Sequence, residues 1–415
     1  MNKIKKTVSA RWWMWLIAVD AFFVIITALC PHIPNFYGRS RLLSPFNLAV
    51  EMNVAAWWAG IGFIVLSFIA YELFCTEKDR SERIAWLVLS ILLAGLFCDE
   101  IGSLHERIGS FSRLLPYGVV AVSLLTYSLI ILYRRAETRK ISIFIFSGFM
   151  AFAIVAFWEK LEHTLIWPSW SLGLRAGFEE GLELTGAFLI FWGIVMQRQL
   201  GALTSWPSAI PNLYKIRHIN RIVLYGMFLH VIVSLILPHI IEMRKNWGNP
   251  FVLYPAAIYI MLSLGSLQQY LNSGADNRRT FAFVSIFFAV CSLGSMFNLL
   301  VFLPVSGVML QRFDDIFNSL QLIQLAGVVF LFMKGSAIFE NKKMMLFTLL
   351  ALLIIGFMGK GVSMRATGNG IIAWLFVQVF LPQITRQHAT PQGTDFARPE
   401  PASVAALKSE LEKTT

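Results

Sequence analysis

The sequence predicts an all-α fold: a polytopic transmembrane bundle of about twelve helices with both chain ends in the cytoplasm. Three observations predict it. Apolar residues make up 57% of the 415 positions and charged residues only 14%, too few to clothe a water-soluble body of this size. Apolar runs of about 18 residues or more recur along the chain, each long enough to cross a bilayer core. The basic residues fall in short segments on alternate sides of those runs.

The spans are expected at roughly 12–30, 48–75, 84–109, 114–133, 141–163, 176–196, 220–241, 251–271, 281–303, 315–333, 344–363 and 368–383. The first follows Lys3, Lys5 and Lys6. It is too long for the apolar part of a signal peptide and carries Asp20, so it is expected to stay as a helix. Between the last two spans Lys360 and Arg365 crowd a short turn. Counted on alternate sides, Lys and Arg divide 24 to 10, with Lys160 inside a span, which places the N-terminus in the cytoplasm. Tryptophans such as Trp12, Trp57, Trp58, Trp167 and Trp170 sit at expected interfaces, as an aromatic belt requires. The localisation that follows is a bacterial-type inner (plasma) membrane, crossed many times, with membrane lipids as partners.

The longest inner loop, about 197–219, divides the chain into a six-helix half at 1–196 and a second at 220–383. No convincing sequence repeat is evident between the halves. The tail, 384–415, is polar and broken by Pro391, Pro399 and Pro401, and a mobile cytoplasmic segment is expected there. The net charge of +11 would suggest nucleic acid in a soluble protein, but no solvated basic face exists here to hold a phosphate backbone. The four cysteines, Cys30, Cys75, Cys98 and Cys291, lie in or beside apolar runs and form no Cys-x-x-Cys pair, so they read as packing residues.

Chemistry is concentrated in three short stretches, which hold eight of the 24 acidic residues. The third span ends Asp99-Glu100-Ile101-Gly102-Ser103-Leu104-His105-Glu106. The fifth ends Glu159-Lys160-Leu161-Glu162-His163. The sixth begins Glu179-Glu180-Gly181-Leu182-Glu183. The third and fifth spans run outward and the sixth runs inward, so all three stretches fall in the outer leaflet. Asp99, Ser103 and Glu106 share a helical face, and each of the other stretches keeps its acids within about 100° of arc. Asp99 lies 15 residues past Ile84, about 22 Å along the helix, within the leaflet rather than in a loop.

So many carboxylates cannot all be ionised without strong mutual repulsion, which protonation, a basic partner or a bound cation would relieve. Basic residues are scarce nearby: Lys160, Arg107 and Arg175. Imidazole beside carboxylate suits zinc, iron or manganese, and the expected ligands of a divalent metal ion are Asp99, His105, Glu106, Glu159, Glu162, His163, Glu179 and Glu183. Glu100 and Glu180 are the expected catalytic carboxylates. Two other readings stay open: a proton or cation pathway, and polar packing. The helix dipole accounts for Glu179 and Glu180 at an N-terminus, but it opposes Asp99, Glu106, Glu159 and Glu162 at C-terminal ends.

The Asp-Glu…His-Glu and Glu-Glu-Gly-Leu-Glu stretches resemble those of a group of uncharacterised bacterial multi-pass membrane proteins. The resemblance covers roughly 84–196 and implies no named activity. The layout is similar to di-iron carboxylate bundles, but Glu159 and His163 are four apart where those bundles space Glu and His three apart. Glu179-Glu180 resembles the pair of the membrane CAAX-type glutamic proteases, yet Glu183 and Leu184 stand where those need an arginine.

The function expected from this pattern is a metal-dependent enzyme acting on a lipid or another apolar substrate, as a hydrolase or an oxidoreductase. The alternatives are an ion- or proton-coupled transporter and a non-catalytic membrane subunit or assembly factor. Outside the cluster, Asp20 needs a partner in mid-span, as a proton relay or a buried hydrogen bond; His230 reads as polar packing; Glu51 and His239 are minor candidates; and Asp314 and Asp315 open the tenth span, where an N-terminal cap explains them.

Overall fold

The structure is a computed structural model, and it describes residues 12–29, 54–102, 111–164, 172–200, 216, 218–240, 253–272, 275–296, 324 and 362–386. The described residues form ten helices and no strand. They are α1 Trp12–Leu29, α2 Val54–Thr76, α3 Arg80–Gly102, α4 Phe111–Arg134, α5 Ala136–Thr164, α6 Leu172–Leu200, α7 Ile219–Ile240, α8 Leu253–Asn272, α9 Ala275–Met296 and α10 Val362–Arg386. Three stretches among them are long and apolar enough to cross a membrane: Trp57–Thr76, Arg80–Glu100 and Ala136–Trp158. Large apolar side chains also cover outward faces, with Trp15 75%, Val122 61%, Phe157 69% and Leu229 63% exposed. An outer surface of that kind is rare on a soluble monomer.

The expected spans through 281–303, and the last, each have a helical counterpart, with shifted ends. α5 and α6 are longer than expected, at 29 residues each, because no proline interrupts their flanks. At 1.5 Å per residue each is about 44 Å long, which exceeds a bilayer core of about 30 Å. Arg365, expected in a turn, instead lies in the first turn of α10, where nothing before Gly368 breaks the helix. Of the span expected at 315–333 only Gln324 is described, and it is helical; that at 344–363 lies outside the described residues up to Val362.

Buried side chains form two apolar clusters. One gathers Trp57, Phe63, Trp86, Leu89, Leu93 and Ile190 among its members, from α1 to α6 with a contribution from α8. The other gathers Tyr259, Phe288, Phe376 and Phe380 among its members, from α7 to α10. Helices adjacent in the chain pack as antiparallel pairs, α2 on α3, α5 on α6 and α8 on α9, while α1 lies against α6 and α7 against α10.

Small residues set the closest of these approaches. At Gly148 of α5 an added Cβ would come within 2.5 Å of the Gly186 carbonyl and 2.6 Å of Ile190 Cγ1. At Gly186 it would meet the Gly148 carbonyl at 2.8 Å. Such close contact of small residues lets the two helix backbones touch.

The turns opposite the acidic stretches are fixed by charge. Asp79 caps α3, accepting hydrogen bonds from the backbone N–H groups of Ser81 and Glu82, both at 3.0 Å. Arg135, between α4 and α5, reaches Asp79 at 2.8 Å and Glu82 at 2.7 Å, so one guanidinium ties two turns together. The Ser81 hydroxyl, the Glu82 N–H and Arg135 hold the Asp79 carboxyl below its ordinary range. A depressed value stabilises the fold above the ordinary carboxylate range, and that contribution is lost as pH falls through the depressed value. The α2–α3 turn is therefore expected to loosen in acid, below about pH 4, and amide exchange followed against pH measures it. Arg135→Ala is expected to weaken the pH dependence without removing it, since the Ser81 hydroxyl and the Glu82 N–H still hold the Asp79 carboxylate, and to leave buried Glu82 without its ion pair, at a cost of about 1–3 kcal/mol in thermal or denaturant melts.

Candidate functional site

The α3 and α6 backbones bring one carboxylate of the first acidic stretch to two of the third. Glu100, near the C-terminal end of α3, and Glu180 and Glu183, in the third turn of α6, line one cleft, with Ala59 and Phe63 of α2, Phe152 of α5 and Leu184 as its other walls. Spacing explains the α6 contribution: residues three apart lie on one helical face. The Gly148–Gly186 seam explains why α5 stands close enough for Phe152 to close one side. All three glutamates are half-buried. The cleft's free interior is about 10 Å³, room for about one water molecule or a bare cation.

Of the residues expected in the site, Glu100, Glu180 and Glu183 meet in this cleft. Asp99 and Glu179 are half-buried on the same helices but do not line it. Glu159, Glu162 and His163 lie on α5 with side chains outside the described residues, as do His105 and Glu106 altogether. Among the described residues, no three His, Cys, Asp or Glu side chains stand close enough to share a metal ion. The three glutamates share walls without converging on one point.

A second space adjoins the first. A cavity of about 180 Å³ lies between α1, α2 and α6, lined by Leu16, Trp58, Gly62, Val65, Ala187 and Phe191, among others. Ala59 and Leu184 line both spaces, so the glutamate cleft and the apolar cavity are neighbours through a common wall. The volume is of the order that admits a benzene-sized molecule in apolar cavities of other proteins, about 150 Å³.

Asp20 is the one carboxylate on the cavity wall, and it accepts a hydrogen bond of 2.7 Å from Trp58 Nε1. This is the partner its mid-span position required. The sequence shows that Asp20 needs a partner but not which one, because 38 residues separate it from Trp58 and only the packing of α1 and α2 on α6 brings the two together. Trp58→Phe keeps the ring and removes the donor. It is expected to cost about 1–3 kcal/mol, read as a lower melting temperature, and Trp58→Phe with Asp20→Asn should recover part of that loss.

His230 is buried and stacks on Tyr254 at 5.3 Å between ring centroids, as packing would have it. Glu51, His239, Asp314 and Asp315 lie outside the described side chains.

Residues 10–198 match the model of a family described as a domain of unknown function (DUF8692). No curated protein and no solved structure matches the chain.

Proposed function

We propose that this chain is a multi-pass protein of a bacterial-type inner membrane, with twelve spans and both ends cytoplasmic, and that its glutamate cleft is the working site of a metal-dependent enzyme acting on a lipid or another apolar molecule. The observation that carries the proposal is the adjacency of the two spaces. A carboxylate cleft with room for a single small group shares the Ala59–Leu184 wall with an apolar cavity more than ten times its free volume. Carboxylates next to bulk water would serve solvation; carboxylates beside a mostly apolar cavity can act on what the cavity holds.

The roles follow from position. Glu100 and Glu180 face the cleft from two helices and can take or give a proton to a group placed between them. Glu183, which lines the cleft, stands next in sequence to Leu184 of the shared wall. The cavity would hold the apolar part of the substrate and exclude water from the cleft. A divalent ion there would supply Lewis acidity. The described glutamates do not complete its ligand set, so the proposal calls on His105, Glu106, Glu159, Glu162 and His163, with Asp99 and Glu179, to supply the rest.

Enzyme is preferred to transporter because, among the described residues, the cleft and the cavity are lined by α1, α2, α3, α5 and α6. A transporter's site is expected between its two halves, near the midplane.

Metal content of the purified protein tests the reading. Elemental analysis is expected to give about one zinc, iron or manganese ion per chain, with loss of the metal in His163→Ala and Glu180→Gln proteins that remain folded. A wild-type protein free of metal after purification without chelator, and unable to take up any of the three, would sink it. Accessibility of single cysteines to a membrane-impermeant reagent tests the topology: Lys78→Cys is expected to label from the cytoplasmic side only.

A further inference from the structure

The α2–α3 and α8–α9 hairpins are locked in the same way. Ser67 Oγ donates to the Ser90 carbonyl at 2.8 Å and Ser90 Oγ donates back to the Ser67 carbonyl at 2.9 Å. Ser263 Oγ donates to the Ser285 carbonyl at 2.8 Å and Ser285 Oγ returns the bond at 3.0 Å. The agreement extends along both helices. Seven residues beyond the first serine of each hairpin stands an aromatic, Phe74 or Tyr270, and seven before the second stands an arginine, Arg83 or Arg278. The guanidinium lies over the ring at 5.9 Å in one hairpin and 5.5 Å in the other. Nine residues before the first serine stands an aromatic that donates to the preceding helix. Trp58 bonds Asp20 of α1 at 2.7 Å, and Tyr254 bonds the Val223 carbonyl of α7 at 2.9 Å.

Packing repeats the pattern at a larger scale. α1 and α2 both lie on α6, and α7 and α8 both lie on α10. The hairpins meet through equivalent positions: Phe68 of α2 packs on the second apolar cluster, and Leu264, its counterpart on α8, packs on the first. Reciprocity of this kind marks an isologous interface between like units. The family match ends at residue 198, two residues before the end of α6.

We infer that α7, α8, α9 and α10 are diverged counterparts of α1, α2, α3 and α6, set beside them in the same orientation, and that this second copy serves the first as a built-in partner, with no acidic residue at the position that matches Glu100 or anywhere on α10. The serine register carries Phe63 to Tyr259 and Glu100 to Ser295, and α10, the counterpart of α6, contains no acidic residue. What the second copy supplies is surface: Ala256 and Ile260 of α8 are buried in the first unit's core.

Spin labels on the full chain test the inference without depending on any activity. Two units related by a two-fold axis must show equal cross distances. The distance from Thr76→Cys to Ala275→Cys should then equal that from Arg80→Cys to Asn272→Cys, within about 5 Å of label reach. All four sites are helix ends at the hairpin turns, so labelling leaves the packed faces intact. Agreement supports the duplication, and a larger disagreement overturns it. An independent measurement compares the locks: Ser67→Ala with Ser90→Ala, and Ser263→Ala with Ser285→Ala, are expected to lower the melting temperature by similar amounts. A loss confined to one hairpin contradicts the equivalence.

Discussion

Gly148→Val is expected to unfold or grossly loosen the α5–α6 pair, the largest stability loss of any single substitution considered. The added Cβ alone would sit 2.5 Å from a backbone carbonyl and 2.6 Å from Ile190 Cγ1, and the two γ carbons need more room still. Backbone atoms of a straight helix cannot step aside as a flexible side chain does, so the helices must part. Overpacking of this severity costs about 3 kcal/mol or more, enough to exhaust much of a marginal stability. The seam also fixes Phe152 against Glu180 and Glu183, so separation opens the cleft. Thermal melts in detergent and the monodisperse fraction on size exclusion measure the loss. Gly95→Ala is the control: nothing lies within 4 Å of a Cβ there, and replacing a helical glycine is expected to be neutral or to add about 0.5–1 kcal/mol. Equal melting temperatures for Gly148→Val and Gly95→Ala would disprove the close approach.

Gly62→Leu is expected to have the opposite signature, an intact fold with an empty site. Gly62 lines the apolar cavity, and nothing lies within 4 Å of a Cβ placed on it, so a leucine has open space to occupy. The helix gains propensity and buried area, and stability should hold or rise by about 1 kcal/mol. Any apolar molecule that enters the cavity is displaced. Native mass spectrometry of lipid retained after purification reads this directly, as does competition with a fluorescent apolar probe. Retained lipid undiminished in a well-folded Gly62→Leu protein would show that the cavity is not where apolar ligands bind. Metal content should be unaffected, which separates this test from that of the glutamate cleft.

The two substitutions differ because glycine does different work at each place. At Gly148 it lets two backbones touch; at Gly62 it leaves room beside them. Both residues sit mid-helix in apolar surroundings, and the sequence offers no sign of the distinction. It is settled by which face of each helix meets a neighbour.

The acidic stretches were legible for a similar reason and to a similar limit. Helical spacing and the alternating direction of the helices put Glu100, Glu180 and Glu183 at one level and gave each a face, and these three do line one cleft. The same reasoning grouped Asp99 and Glu179 with them, but those side chains turn elsewhere, since adjacent positions on a helix point about 100° apart. Asp20 was seen as needing a partner and its partner was not seen.

Local chemistry, then, determined what composition and period can carry: helices, their approximate ends, and the end of the bundle where acids collect, because apolar run length and side-chain periodicity are properties of one segment at a time. Tertiary structure alone decided which helix stands against which. From that came the Asp20–Trp58 bond, the cavity behind the Ala59–Leu184 wall and the paired serine locks, whose register no alignment of the halves made visible. Each joins residues 20 or more positions apart in the chain, and such contacts depend on the crossing of two helices, a geometry set by steric fit between surfaces and absent from either strand of sequence read alone.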